Sequence, residues 1–417
     1  MRPDRLAILA AWLDARGSAK RLRTRADLER RQARLWRRLQ PALARTPALA
    51  ALAGSPLQRF PTVTPQTMRA EFDARNSLGL SRREAETAAL AAEAGGDGEV
   101  APDVSAGFST GTSGTRGLFL ASRKERGRYI GHALARLLPP DALTRRRRIA
   151  LCLRADNRLY RDAGGGPIEI RFFGLDGPSD ARLNAIIEFA PDVLIAPSGV
   201  LADIARQVSA GARFPKLERL FYGAEPMGEA ERAWIQGVLG ARPDPIYQAT
   251  EGFLGCACVL GTLHLNEEVL IVEREPVTGT DRFQPIVTDL RRVTQPMVRV
   301  LLDDLLEPLP EPCPCGSPRL AVRGVEGRVG DLWRWGDAVI TPRAVDTLVS
   351  AAAGAQREWR AVAARDRVTL EIDGNGAAPA QQLEALLRLH DVRIPVEAAP
   401  LSPQDGPKRR RVSWTDG

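Results

Sequence analysis

The segment 109–117 reads STGTSGTRG, with three glycines and five hydroxyl residues in nine positions. Glycine lets backbone N–H groups turn toward an anion, and the hydroxyls add donors, so such a loop can hold phosphates without large side chains. The candidate contacts are Ser109, Thr110, Thr112, Ser113, Gly114, Thr115, Arg116 and Gly117. The pattern differs from the GxxxxGK[ST] loop of nucleotide hydrolases. Taken alone, a Ser/Thr/Gly stretch is as readily a linker. Two further segments give it context, YGAEP at 222–226 and YQATEG at 247–252. Tyr247 offers a ring to stack on a base, Thr250 a hydroxyl for a phosphate, and Glu251 a hard oxygen ligand for Mg²⁺. The plain alternative for Glu251 is a turn cap.

A second constellation is soft. Cys256 and Cys258 form one tight pair, Cys313 and Cys315 another, and His264 stands between them in sequence. Cys313-Pro-Cys315-Gly is a plausible turn for two thiolates, and Cys258 with His264 would complete a Cys₃His tetrahedron for a structural Zn²⁺. The alternative is separate buried thiols. Cys152, inside an apolar run, reads as core. His132 and His390 lie in helix-like apolar stretches and are assigned no role.

The elements that must position these residues follow from periodicity. Leu28, Leu35, Leu39 and Leu43 recur at helical spacing in an N-terminal helical region. Residues 87–105, small and Gly-rich, read as an exposed connection. From about 147, the runs IALCL, IEIRFF, DVLIA, LERLFY and DPIY alternate with amphipathic segments at 181–190, 200–210 and 229–239. Strands alternating with helices imply a mostly parallel sheet with ligand loops at one end of the strands. After 262 come shorter strands: LHLNEEVLIVE, FQPIVTDL and PMVRVLLDDLL. Residues 326–417 suffice for a small α+β domain, with a helix at 381–389 and a last strand at 392–397. The expected class is therefore α/β: a large N-terminal domain over 1–325, holding a zinc-stabilised element at 256–316, followed by a small C-terminal domain over 326–417.

Composition bounds the function. The 417 residues are 44% hydrophobic and 26% charged, which excludes a disordered or fibrous chain. No apolar run approaches 18 residues, so no span of a membrane is expected. The short run LAILAAWL near the start is met at once by Asp14, and no signal peptide is expected. The five cysteines argue against a disulfide framework, which points to the cytoplasm. Fifty-nine basic against 51 acidic residues leave +8, nearly all of it arginine, with lysine only at 20, 124, 216 and 408. The basic clusters lack interleaved aromatics, so nucleic acid is not the expected partner.

Together the three loops resemble the adenylate-forming superfamily, and look most like its phenylacetate–CoA ligase branch, in a shorter group of probable adenylate-forming enzymes. FPTVTPQTMRAEFDA at 60–74 resembles the segment before the phosphate loop. YGAEP resembles the loop bordering adenine, which carries over to Gly223, Ala224 and Glu225. YQATEG resembles the aromatic-x-x-Thr/Ser-Glu motif and adds Gln248. PMVRVLLDDL resembles the segment ending in a ribose-binding aspartate, here Asp304. GRVGD resembles the hinge, with Arg328, and GPKRRRV resembles the segment carrying the adenylation lysine, here Lys408.

The resemblance implies a mobile C-terminal domain, ATP with Mg²⁺, and activation of a small carboxylic acid, an aromatic one by the branch, as acyl-AMP. Transfer to CoA or to the phosphopantetheine of an acyl carrier protein would follow. An amine acceptor, or a homologue that binds nucleotide without catalysis, are the competing readings. Two departures stand out. Leu118 follows the loop where a lysine is usual, leaving Arg116 as substitute, and Asp289 in VTDL is a second ribose candidate. For Lys408 the alternative is a solvated basic tail.

Overall fold

The computed structural model describes residues 3–108, 116–153, 166–175, 177–403 and 409–415. Helix Arg5–Arg21 starts at Asp4, whose carboxylate accepts from the Leu6 and Ala7 N–H groups. It packs against helix Arg123–Leu137 at very short range. A Cβ at Gly127 would lie 2.6 Å from the Asp4 carbonyl oxygen, and one at Gly131 2.1 Å from that of Ile8. Only glycine permits that approach. In helix Arg25–Arg45, Leu28, Leu39 and Leu43 are buried, while Leu35 is half-buried.

Twelve strands of the described residues form one sheet. Ile168–Gly174, Arg147–Leu153, Val193–Pro197, Arg219–Gly223 and Pro243–Ala249 are parallel neighbours in that order. Helices Ser179–Phe189, Ser198–Ser209 and Glu229–Leu239 are among their crossovers. Leu183, Ile186, Leu194, Leu201, Leu220 and Ile235 make one core between these helices and the strands. Gly252–Ala257 then turns back antiparallel on Pro243–Ala249. The sheet continues antiparallel through Leu263–Leu265, Ala321–Arg328, Asp304–Pro308, Phe283–Asp289 and Leu270–Pro276. It is thus mixed, with the parallel half where alternation predicts it.

A four-stranded sheet closes the chain, in the order Val396–Pro400, Val368–Ile372, Trp359–Ala363, Val412–Trp414. Helices Pro342–Ala353 and Ala377–Leu389 cover it over a core that includes Trp333, Trp359, Leu370 and Leu383.

Three sequence expectations need correction. The stretch 87–105 is not a connection: helix Arg82–Glu93, capped by Ser81 and Glu84, runs through its first half. Strands Glu99–Ala101 and Val104–Phe108 fill much of the second. Alanine-rich sequence favours helix once a capping box starts it. LHLNEEVLIVE is two strands, because the buried Asn266 side chain bonds the Phe253 carbonyl and breaks the run. The strand expected at 392–397 is Val396–Pro400, and the last strand is Val412–Trp414, inside the basic tail.

Candidate active site

Strands Arg219–Gly223 and Pro243–Ala249 are parallel partners, and the loops YGAEP and YQATEG lie at their carboxyl ends. A Cβ at Gly223 would meet the Ile246 carbonyl oxygen at 3.1 Å, and Ala224 adopts a left-handed φ of 68°. The chain turns sharply there, against its neighbour strand. A cavity of about 1150 Å³ opens at this edge, lined by both loops and by Asp289, Asp304, Arg328 and residues 409–413.

Within it the sequence-selected groups meet. Tyr247 is buried and its hydroxyl donates to Asp304 Oδ2 at 2.6 Å. Burial first, and Asp304 second, push the phenol well above its ordinary value, so it stays a donor. Asp304 sits opposite Arg328 in the antiparallel register. The Arg328 N–H donates to Asp331 at 2.8 Å. Thr250 is held through its carbonyl, which accepts from Arg292 at 2.9 Å. Glu251 is buried, and its carboxyl is pushed up by burial and by the charges of Asp304 and Asp303, against a backbone hydrogen bond and Arg292. Asp289 is likewise pushed up by burial, while its carboxylate accepts from the Arg291 N–H at 2.8 Å. Gln248 is exposed at the cavity wall. Arg292 was not singled out from sequence; its only signal there is a position just after VTDL.

Two selected residues are engaged elsewhere. Glu225 lines the cavity, yet its carboxylate accepts from Ser198 Oγ at 3.0 Å, the Gly199 N–H at 2.8 Å and the Arg409 N–H at 2.8 Å. Arg116 pairs with Glu93 and lies 4.6 Å over the Phe108 ring, while Gly117 lines the cavity. Ser109, Thr110, Thr112, Ser113, Gly114, Thr115 and Lys408 lie outside the described residues.

The soft cluster assembles away from the cavity. The ligand atoms of Cys258, His264, Cys313 and Cys315 all lie within 4.8 Å of one another. Cys258 Sγ and Cys313 Sγ are 3.9 Å apart, and Cys315 Sγ is 3.3 Å from His264 Nε2. Tetrahedral zinc with Zn–S near 2.3 Å would set sulfurs about 3.8 Å apart, so the donor set fits. His264 Nδ1 faces the Arg319 carbonyl at 3.2 Å, which leaves Nε2 as the ligand atom. Cys256 stays outside the cluster, buried beside Arg136, as Cys152 is buried in its strand. His132 packs against Phe253 and meets Glu268 at 3.1 Å. His390 is exposed.

No family model and no curated protein matches the sequence. Solved structures do match its shape. A 2-hydroxyisobutyryl-CoA ligase in its post-adenylation state aligns at a TM-score of 0.67 and 17% identity, over 94% of this chain and 90% of that one. This is the adenylate-forming acyl-CoA ligase fold. The same ligase in its thioesterification state aligns less fully, at 0.53 with 19% identity, over 93% and 89% of the two chains. An amide bond synthetase from Marinactinospora thermotolerans reaches 0.51 at 15% identity, over 72% of this chain and 66% of that one. The cavity is lined both by the 12-stranded sheet and, through Arg360, Val362, Glu371 and Val412, by the four-stranded one. Among the described residues, no helix is long and apolar enough to cross a membrane.

Proposed function

We propose that this chain is an AMP-forming ligase that activates a small carboxylic acid as acyl-AMP and passes the acyl group to a thiol. The observation that carries this reading is the cavity in which Tyr247–Asp304, Glu251 and the basic tail of the small domain converge. In the first step the substrate carboxylate attacks the α-phosphorus of ATP, a C–O–P bond forms and pyrophosphate leaves. Asp304, oriented by Tyr247, is suited to a ribose hydroxyl, and Thr250 to a phosphate oxygen. Glu251 fits Mg²⁺, because a carboxyl raised by burial, and further by Asp304 and Asp303, gains from a cation. Bound there, Mg²⁺ would neutralise charge on the phosphates. Lys408, on the tail beside Arg409, is the proposed donor to developing charge, and the loop 109–117 the proposed phosphate cradle.

The fuller overlay with the post-adenylation arrangement favours the same state for this structure, with 1–325 as the larger and 326–417 as the smaller unit. The small domain would then rotate about the Gly327–Arg328 region and present a different face for thioester formation. CoA or a carrier-protein phosphopantetheine is the proposed thiol, and an aromatic acid the proposed substrate class. The cluster Cys258, His264, Cys313 and Cys315 we read as a closed, structural zinc site. An amine acceptor is the second reading, favoured by the likeness of fold to an amide bond synthetase. ATP–pyrophosphate exchange over aromatic and aliphatic acids tests activation, and acceptor competition separates thiol from amine. Exchange with none of the acids would leave only nucleotide binding.

A further inference from the structure

Of the three arginines after Lys408, Arg409 and Arg411 are largely withdrawn from solvent, while Arg410 is exposed. Arg409 reaches from the small domain into the large one. Its two terminal nitrogens meet the two oxygens of Glu231 at 2.7 and 2.8 Å, one of them also meets Ser198 Oγ at 2.9 Å, and its backbone N–H donates to Glu225. Arg410 pairs with Asp331, in the turn that follows Ala321–Arg328. Arg411 joins Glu231 at 3.0 Å to Asp346 and Glu358 of the small domain, at 3.4 and 3.7 Å, and lies over Trp359. Three consecutive side chains thus tie the large unit, the connecting turn and the small unit together.

Glu231 is fully buried at the start of helix Glu229–Leu239, with Arg409 and Arg411 packed on its carboxylate. Burial pushes its carboxyl up, but Arg409 and Arg411 outweigh that and hold it below its ordinary value. A buried carboxylate is tolerated when it is paired in this forked geometry, and becomes a liability when the partner leaves. The fit at this junction is also steric. A Cβ on Gly228 would stand 1.9 Å from Asp346 Oδ2, although the Gly228 φ of −72° suits any residue. A side chain at 228 would thus make the Asp346 carboxylate of the small domain give way, while the local backbone would not resist it.

We propose that Arg409 is a positioning residue: its fork on Glu231 latches the small domain in the adenylate-forming arrangement and must release before the second half-reaction. This rests on the ligase reading above. Arg409 is fixed at both its backbone and its guanidinium, and it follows Lys408 directly in sequence.

The test uses the full-length protein. Arg409→Ala and Glu231→Gln should each slow pyrophosphate exchange by about tenfold or more, as expected when one member of a close charge pair is removed. The double variant should be no slower than either single one. Thioester formation from synthetic acyl-adenylate should be undiminished. Arg409→Lys, which keeps the charge but not the fork, should be intermediate. Gly228→Ala, which removes no charged residue but crowds Asp346, should shift the half-reactions in the same direction. Independently of activity, small-angle scattering should show Arg409→Ala and Gly228→Ala more extended than wild type. Unchanged exchange and unchanged scattering would overturn the latch, as would equal losses in both half-reactions. If wild type itself shows no exchange while the scattering still shifts, the latch stands and the ligase reading falls.

Discussion

The Tyr247 hydroxyl and Asp304 Oδ2 are 2.6 Å apart although three strands separate their own in the sheet order. Four strand spacings in a flat sheet would be about 19 Å, beyond the reach of these side chains. The sheet must therefore curl between these two strands, and the bond closes the curl across the cavity. Tyr247→Phe should keep the ring and lose the donor. Stability should fall by about 1 kcal/mol, the usual net worth of such a bond. The half-saturating ATP concentration should rise several-fold with little change for the acid. Calorimetry and steady-state kinetics read both, and equal shifts for the two substrates would remove Asp304 from the nucleotide subsite.

Glu251→Gln keeps the shape of the side chain and removes the charge. Because the carboxyl is buried beside Asp303 and Asp304, neutralising it should not destabilise the fold, and thermal melting should be unchanged or slightly higher. Mg²⁺-dependent exchange should be abolished. Near-wild-type exchange at saturating Mg²⁺ would assign the cation to another carboxylate, with Asp289 the next to test.

The cluster of three thiols and one imidazole should hold about one zinc per chain after desalting, because a closed thiolate-rich site keeps its metal. Elemental analysis measures it. Cys313→Ser should lower both the zinc content and the melting temperature, whereas Cys152→Ser should leave the zinc untouched. Metal-free protein with an unaltered melting curve would return these cysteines to ordinary packing.

Legibility in the sequence followed the range of the forces involved. The helices at 181–190, 200–210 and 229–239 were readable because amphipathic period and length are local, and the structure has them within two residues. The grouping of Cys258, His264, Cys313 and Cys315 was readable because these residue types are few in the chain and tightly spaced. The helix through 87–93 was masked by the glycines just after it. Glu231, Ser198 and Asp346, ordinary helix residues, and Glu358, just before strand Trp359–Ala363, left no trace until residues 409–411 reach them. Contacts between elements far apart in sequence have no periodicity to read.

Lys408 carries the sharpest expectation. If the tail delivers it to the α-phosphate, Lys408→Ala should slow adenylate formation by about 10²-fold or more, the typical loss of one transition-state charge donor. Thioester formation from synthetic acyl-AMP should survive much better, because the rotated domain no longer uses the lysine. Lys408→Arg should also be impaired, since a planar guanidinium does not replace a compact ammonium in a fitted site. Arg409 is no bystander here, so the useful contrast is conformational: Lys408→Ala should leave the scattering profile of the wild type, whereas Arg409→Ala should not. Rapid-quench measurement of each half-reaction, paired with scattering, separates the donor from the latch. Equal loss in both half-reactions on Lys408→Ala would count against a transferring charge. The cation would then be sought at Arg292 and Arg328, which line the cavity, before Arg116, whose guanidinium is already engaged by Glu93.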